Sequence, residues 1–333
     1  MPIVSSCGFL TQLYYGGLNL SFIREHRAVL AGRLQYRKNL TTVGESSVLL
    51  RRNIHRLEKG IIMRPRRSVF AADYIGETVE AYRLVAECKL SGFESRDRVE
   101  EKWAFDVLSE YFSITDESNS RINKARAFFR ELPSYSGDDE KKSKPYCRNL
   151  DQPVPVAYDS LLKLAEFRRS VRWFRQETVD RNLVDRAVAV AGYSPSACNR
   201  QPFHFRIFDD PQKVQEVIRI PMGTVGFSHN VPGVIAVVGS LDAYFDERDR
   251  HVIYIDSSLA SMSLIYALET QGVSSCSINW PDIPSHEKRM VKTLGLKPYE
   301  RVIMLIAFGY PDPVGMVPFS QKKPLEQLRS YNC

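Results

Sequence analysis

The sequence lacks the long hydrophobic runs of an integral membrane protein. No stretch of roughly 18 consecutive apolar residues occurs anywhere in the 333 residues, and a helix needs about that many to cross a bilayer. The N-terminus also lacks the basic segment that begins a secretory signal peptide. We therefore expect neither a signal peptide nor a membrane span, and leave open a loose attachment of residues 1–23 to a membrane surface.

Cysteine and histidine are few and scattered. The six cysteines form no CxxC pair, and His204, His229, His251 and His286 share no spacing that would ligate zinc. We therefore predict a reducing, cytoplasmic setting and no metal site. Internal repeats of 20–50 residues are also absent, which excludes a solenoid.

The bulk composition is that of a globular protein of two compact regions. Hydrophobic residues make up 44% and charged residues 26% of the chain, and the length exceeds that of one usual domain. The net charge of +7 comes mainly from residues 51–67, where seven basic side chains stand against one acidic side chain.

Residues 20–131 are predicted to be mostly helical. One helix with a single buried face is indicated by apolar residues at i, i+4, i+7 and i+11, namely Leu50, Ile54, Leu57 and Ile61. Ser46 or Ser47 could cap this helix. Further apolar stripes cover 79–90, with Gly92 as a stop, and 99–111.

A linker is predicted at about 132–157, where the helical pattern gives way to Pro, Ser, Gly and a run of charges. The predicted organisation is a mainly helical N-terminal region, 1–150, followed by a second domain, 151–333.

The second domain is predicted to be of the α+β or mixed α/β class. Periodic segments at 158–167 and 180–191 indicate helices, and Asp180 is a candidate N-cap. Short β-branched runs predict strands at 203–208, 233–239 and 301–308. A long helix is predicted from about Val252 to Gln271, with Gly272 at its end.

Between the first two of these helices lies the basic motif Arg168-Arg169-Ser170-Val171-Arg172. Three guanidiniums and a hydroxyl supply enough donors to hold a phosphate and to pair with the polar edge of a planar ring. The alternative is a solvated helix end.

The second motif is a loop of small and amide residues, Ser194-Pro195-Ser196-Ala197-Cys198-Asn199-Arg200-Gln201-Pro202, set just before the first strand. The amide of Asn199 can both donate and accept a hydrogen bond, which suits a ligand with a mixed polar rim. The alternative is an Asx turn.

The two motifs, the strand after them and the later Lys322-Lys323 pair occur in an order that resembles the nitroreductase family. The resemblance covers roughly residues 158–328. It implies an α+β fold with three α/β/α layers around a mixed sheet, and a homodimer with FMN at the interface.

The resemblance also implies roles for individual residues. The FMN phosphate and the pyrimidine edge of the ring would be held by Arg168, Ser170 and Arg172, with Arg169 as a helper. The loop residues Pro195, Ser196 and Asn199 would reach the flavin from the second subunit, and Gln201 would lead into the sheet.

Three further stretches complete the implied site. Backbone N–H groups near flavin N5 would come from Ser277, Ile278 and Asn279, although relatives place an acidic residue and glycine at this turn. Gly309 would close the last core strand, and Lys322 and Lys323 would approach the phosphate. Cys276 is interpreted as a small buried residue.

The basic helix carries Arg52, Arg56 and Lys59 on one face. A solvated surface is one interpretation; the other is a segment that lines or covers the flavin pocket and binds an anionic substrate. Nucleic acid is not expected, because aromatic residues do not alternate with the charges as stacking would require.

The resulting prediction is an FMN-dependent oxidoreductase in which NAD(P)H is the co-substrate and a small organic molecule accepts hydride. Flavin N5 would carry the chemistry, so no catalytic side chain is expected. The alternatives are a flavin oxidase or dehydrogenase that desaturates a metabolite, and a non-catalytic flavin-binding interaction protein.

Overall fold

A computed structural model describes residues 5, 7–41, 48–87, 97–135 and 141–332. For residues 97 and 98 only the backbone is described. The first helices in chain order are α1 (Gly8–Leu13), α2 (Ile23–Asn39), α3 (Val48–Ile61), α4 (Ile75–Glu87), α5 (Asp97–Ile114) and α6 (Ser120–Glu131). A π-helical turn, Tyr14–Leu18, lies between α1 and α2. The second half contains α7 (Tyr158–Phe167), α8 (Arg181–Ala191), α9 (Pro211–Ile218), α10 (Val252–Glu269), α11 (Pro284–Leu294) and α12 (Leu325–Leu328).

Helices α3 to α6 pack around their own hydrophobic core. The buried face predicted for α3 is observed, since Leu50, Ile54 and Leu57 are fully buried and Ile61 is nearly so. Asn119 caps α6 by accepting from the backbone N–H groups of its first turn. The predicted cap at Ser46 or Ser47 and the predicted stop at Gly92 lie outside the described residues.

The described residues form one four-stranded sheet. Its strands are β1 (Phe203–Phe208), β2 (Gly233–Ser240), β3 (Ser274–Asn279) and β4 (Glu300–Gly309), in the order β1-β2-β4-β3. All three pairings of these strands are antiparallel. The sheet was predicted to be mixed. Within the described residues, the parallel pairing consists of one isolated bridge between Ser170 and Ser275.

Helices cover both faces of the sheet, so the predicted α/β/α layering and the α+β class are confirmed. Alternate residues of β2 point to opposite sides. Ala236 packs with α9 and α11 in one core, whereas Ile235 packs with α8 and α10 in the other.

Helix α2 docks on the second half of the chain. Its Ala28 and Val29 pack with Leu241 and Ile253. A Cβ on Gly32 would lie 2.7 Å from the carbonyl oxygen of Leu241, so only glycine permits this close approach. Helix α2 therefore shares a core with the second half, and a domain boundary near residue 150 stays a prediction.

Among the described residues, one helical segment is long and apolar enough to cross a membrane: Glu247–Glu269, which contains α10. A stretch of 18 residues within it has a mean hydropathy of 1.2, and half of that stretch is buried inside the protein. A core helix passes the same test, so the observation is weak evidence for a membrane span.

Candidate functional site

The arginine-rich segment is an extended connection between α7 and α8. Helix α7 ends at Phe167, and Arg168 adopts extended backbone angles. The N–H of Val171 then donates to the carbonyl of Ser275 at 3.1 Å. The segment thus lies alongside β3, and its side chains are placed by the sheet rather than by a solvated helix end.

The three guanidiniums of this segment are partly buried and form no ion pair with any carboxylate in the described residues. Arg169 donates to the carbonyl of Arg168 at 3.2 Å, and Arg172 donates to that of Ser170 at 3.4 Å. Most of their donors therefore stay available. Positive charge that is partly shielded from water and lacks a fixed counter-charge is suited to bind an anion.

A cavity of about 370 Å³ lies beside Arg172. Its lining includes the three β3 residues predicted to contact a flavin, and consists of Arg172, Met222, Gly223, Cys276, Ser277, Ile278, Asn279 and Pro281. The structure therefore brings together two groups of predicted residues that lie more than a hundred positions apart in the sequence.

The stretch Ser277–Asn279 was predicted to be a turn, but in the structure it is the end of strand β3. Ser277 and Asn279 are exposed, whereas Ile278 between them is buried in the core. Because β3 is at the edge of the described sheet and, apart from the isolated bridge at Ser275, pairs only with β4, alternate backbone N–H groups toward its end face away from the ladder. Such groups can donate to a ligand in the cavity.

Two titratable side chains border this region. Burial raises the pKa of the Cys276 thiol, and Arg172 opposes this shift only in part; the thiol is therefore protonated near neutral pH, which fits its interpretation as a buried residue without redox chemistry. Burial likewise raises the pKa of Glu269, against the hydroxyl of Ser274 and the charge of Arg168. Glu269 was not among the predicted site residues, because the sequence shows only its helical spacing.

The amide loop is held in a strained conformation. Cys198, Asn199 and Gln201 have φ angles of 53°, 51° and 49°, in the left-handed region that side chains disfavour. The N–H of Ala197 donates to Asp256 at 3.0 Å, and the N–H of Gln201 donates to the hydroxyl of Ser196 at 3.1 Å. Such strain persists where surrounding contacts fix the backbone, and it concentrates at functional sites.

The side-chain amide of Asn199 has no hydrogen-bond partner among the described residues, whereas the amide of Gln201 donates to the carbonyl of Gly192 at 2.7 Å. Pro195 is exposed at the start of the loop. The loop therefore presents one free amide and fixes the other.

The two motifs contact different parts of α10, although Ser194 at the start of the loop reaches Ser263 at 2.7 Å. The loop contacts Asp256 near the first residues of this helix, whereas Arg168 is near Glu269 at its last residue. Thirteen residues separate these positions, which corresponds to about 20 Å along a helix. Within one chain, the structure does not bring the two motifs together.

The predicted substrate residues have other partners. The guanidinium of Arg52 stacks on Phe245 at 5.0 Å, and that of Arg56 stacks on Tyr74 at 3.6 Å. Lys59 is exposed. None of the three lines the cavity beside Arg172.

The remaining predicted residues also lie outside the cavity lining. A Cβ on Gly309 would lie 2.5 Å from Pro232, so this glycine permits close packing at the end of β4. Lys322 and Lys323 are exposed in an irregular segment. Within the described ranges, no cluster of three or more His, Cys, Asp or Glu side chains could hold a metal ion.

A family model described as "Nitroreductase family" matches residues 165–225 and 221–310. The matched residues include the arginine segment, the amide loop, β3 and Gly309. Residues 1–164 and the lysine pair lie outside it.

The chain is also similar to curated proteins and to solved structures. Iodotyrosine deiodinase 1 of Pongo abelii is 24% identical and that of Homo sapiens is 25% identical, each over half of this chain. Both alignments cover 66% of the relative, just under two thirds of its length. An FMN-dependent nitroreductase structure from Clostridium difficile R20291 is 20% identical and covers 52% of this chain and 99% of that chain, with a TM-score of 0.44.

Proposed function

Since the nitroreductase family model matches residues 165–310, we propose that the protein is an FMN-dependent oxidoreductase that passes hydride from NAD(P)H to a small organic acceptor. The family supports an enzyme of the flavin oxidoreductase class. The hydride donor and the acceptor are part of our proposal.

One observation carries the proposal: Arg172, which forms no ion pair with a carboxylate of the described residues, lines a cavity together with the end of an edge strand. Arg168 and Arg169 belong to the same arginine segment. A phosphate needs cationic donors, and a flavin ring needs neutral donors and acceptors along its rim. The arginine segment fits the first need. The exposed residues Ser277 and Asn279 fit the second.

The bound FMN would supply hydride transfer at its N5 atom. In this assignment Arg168 and Arg172 hold the phosphate and the ring edge, and the backbone of β3 donates toward the ring. Ile278 makes part of the cavity wall apolar, because its side chain belongs to the hydrophobic core. The protonated thiol of Cys276 takes no part in the chemistry.

We further propose that the site is completed by a second copy of the chain. Helix α10 exposes an apolar stripe at i, i+4 and i+7, formed by Ile255, Leu259 and Met262, which are 56%, 45% and 37% exposed. Exposed apolar residues of α7, including Leu161 and Phe167, add to this surface. A contiguous apolar patch of this kind is typical of a subunit interface.

A two-fold axis across α10 would pair this helix with its copy in antiparallel orientation. The start of one α10 would then lie beside the end of the other. That arrangement brings the amide loop of one subunit, held at Asp256, next to the arginine segment of its partner, near Glu269. The different positions of the two motifs on α10 therefore support a shared site.

The test is a visible absorption spectrum of the purified protein, followed by mass identification of the released cofactor and anaerobic mixing with NADPH or NADH. We expect bound FMN that is bleached by a nicotinamide. A protein that stays colourless and does not quench FMN fluorescence on titration would contradict the proposal. Bleaching by an organic substrate alone would support the oxidase or dehydrogenase alternative.

A second candidate is the reductive removal of halogen from an aromatic substrate. The observation that favours it is the name shared by several relatives, iodotyrosine deiodinase. Release of iodide from iodotyrosine by the chemically reduced protein, with no release by an Arg172→Gln variant, would support this candidate. Nitroaromatic reduction without iodide release would support the first.

A further inference from the structure

We propose that Arg51, which lies outside the family match, is a positioning residue that holds the amide loop in its flavin-binding conformation. This inference rests on the proposed function, because it takes the loop to be part of an FMN site. It assigns to the N-terminal helices a role in cofactor affinity.

Arg51 connects α3 to the loop through two donors. Its Nε donates to the carbonyl oxygen of Asn199 at 3.0 Å, and one terminal nitrogen donates to the side-chain oxygen of Gln201 at 3.0 Å. The other terminal nitrogen pairs with Glu100 of α5 at 3.3 Å. The three nitrogens of a planar guanidinium present donors in a rigid fork that matches these separate acceptors, whereas an ammonium is a single compact charge.

The surroundings of Arg51 fix its direction. The side chain is 16% exposed and that of Glu100 is 9% exposed, so the pair is only weakly screened by solvent. The guanidinium also lies 5.4 Å from the ring centroid of Trp103. Because α3, α5 and Trp103 belong to one packed core, Arg51 provides the loop with a rigid support.

The loop needs such support because of its backbone. Two of its three left-handed residues, Asn199 and Gln201, are those that Arg51 contacts. The other side of the loop is held from α10, where Asp256 accepts from Ala197. The carbonyl of Asn199 is engaged by Arg51, while its side-chain amide stays free for a ligand. Without Arg51, the strained residues would relax and the side-chain amide of Asn199 would adopt several orientations.

The experiment measures FMN binding to the apo form of the full chain by quenching of flavin fluorescence. The test variant is Arg51→Met combined with Glu100→Gln, since the second change removes the charge that Arg51 balances in the wild type. The matched control is Arg83→Gln, a surface ion-pair arginine of α4 that bonds Glu80 and Glu87. We expect the Kd for FMN to rise about tenfold in the test variant, as it would if about one loop in ten kept the binding conformation, and to stay unchanged in the control.

A second measurement separates positioning from general stability. If Arg51 acts through the loop, adding Arg51→Met and Glu100→Gln to Asn199→Gly should raise the Kd for FMN little beyond the effect of Asn199→Gly alone. An unchanged Kd for FMN in the test variant, or fully additive effects when it is combined with Asn199→Gly, would overturn the inference. The proposed function would still stand if the wild type binds FMN. A wild-type protein that binds no FMN would overturn both.

Discussion

The amide nitrogen of Val171 lies 3.1 Å from the carbonyl oxygen of Ser275. This hydrogen bond ties the arginine segment to the strand that carries Ser277 and Asn279. The donors assigned to the phosphate and those assigned to the ring are therefore fixed relative to one another by the sheet, before any ligand binds.

The arginine segment should determine cofactor retention. Each charged hydrogen bond contributes about 1.5–3 kcal/mol, so Arg168→Gln and Arg172→Gln should each weaken FMN binding roughly 10- to 100-fold. Arg175→Gln is the matched control, because Arg175 is three residues away and pairs with Glu177. Fluorescence titration measures the three Kd values. Equal Kd values for the Arg172 and Arg175 variants would contradict the assignment.

The free amide of Asn199 should contribute to binding separately from the strain of its backbone. Asn199→Gly removes the amide but accepts the φ of 51°, so FMN affinity should fall while the free energy of unfolding changes little. Asn199→Ala should lose the same affinity and, in addition, about 1 kcal/mol of stability from the unfavourable φ. Urea unfolding with FMN titration separates the two effects. Unchanged FMN affinity in both variants would exclude Asn199 from the site.

The exposed stripe of α10 should couple assembly to cofactor binding. Met262→Glu places a charge in the proposed interface and should yield a monomer that has lost FMN. Val291→Glu is the control, since Val291 is 39% exposed on α11, similar to Met262 at 37%. Light scattering gives the mass, and absorbance gives the bound flavin. A Met262→Glu monomer that keeps its flavin would show that one chain forms the whole site.

Asp256 should make stability depend on pH in a definite direction. Burial raises its pKa above the ordinary 3.8, and the N–H of Ala197 and the hydroxyl of Tyr244 only partly offset this effect. The folded protein therefore holds this proton more tightly than the unfolded chain, so the stabilisation is complete below about pH 4 and is lost as pH rises through the raised pKa.

Asp256→Asn keeps the side-chain shape and removes the titration. The stability of this variant relative to the wild type should therefore improve as the pH increases from 4 to 8, in urea unfolding experiments at fixed ionic strength. A constant difference across this range would contradict the raised pKa of Asp256.

The helices and strands that were predicted are those whose residues show a clear pattern of apolar side chains in the sequence. The α3 stripe from Leu50 to Ile61 was predicted because its helical periodicity reflects burial on one face. The strands at 203–208, 233–239 and 301–308 were predicted because each is a short run of apolar or β-branched residues. The strand β3 was not predicted as a strand, since its sequence Ser274–Asn279 is rich in serine and resembles a turn. Its pairing with β4 depends on contacts distant in sequence.

The candidate site was only partly predictable for the same reason. The arginine and amide motifs were visible as local clusters of donors. The contact of Arg51 with Asn199 joins residues 148 positions apart, and nothing in the basic helix distinguishes Arg51 from its neighbours. Arg52 and Arg56 stack on Phe245 and Tyr74, aromatic faces that the sequence does not show to be near, and their role toward a substrate stays a prediction.

The most direct test of the shared site is complementation between two defective subunits. One chain carries Arg168→Gln and Arg172→Gln, and the other carries Asn199→Gly; heterodimers are isolated with two different affinity tags and their bound FMN is measured by absorbance. If each site combines the arginines of one subunit with the loop of the other, one site of the heterodimer is entirely wild type, and flavin occupancy should return to half of the wild-type value. Occupancy no higher than that of the two defective homodimers would contradict the account, because every site would then contain a substitution.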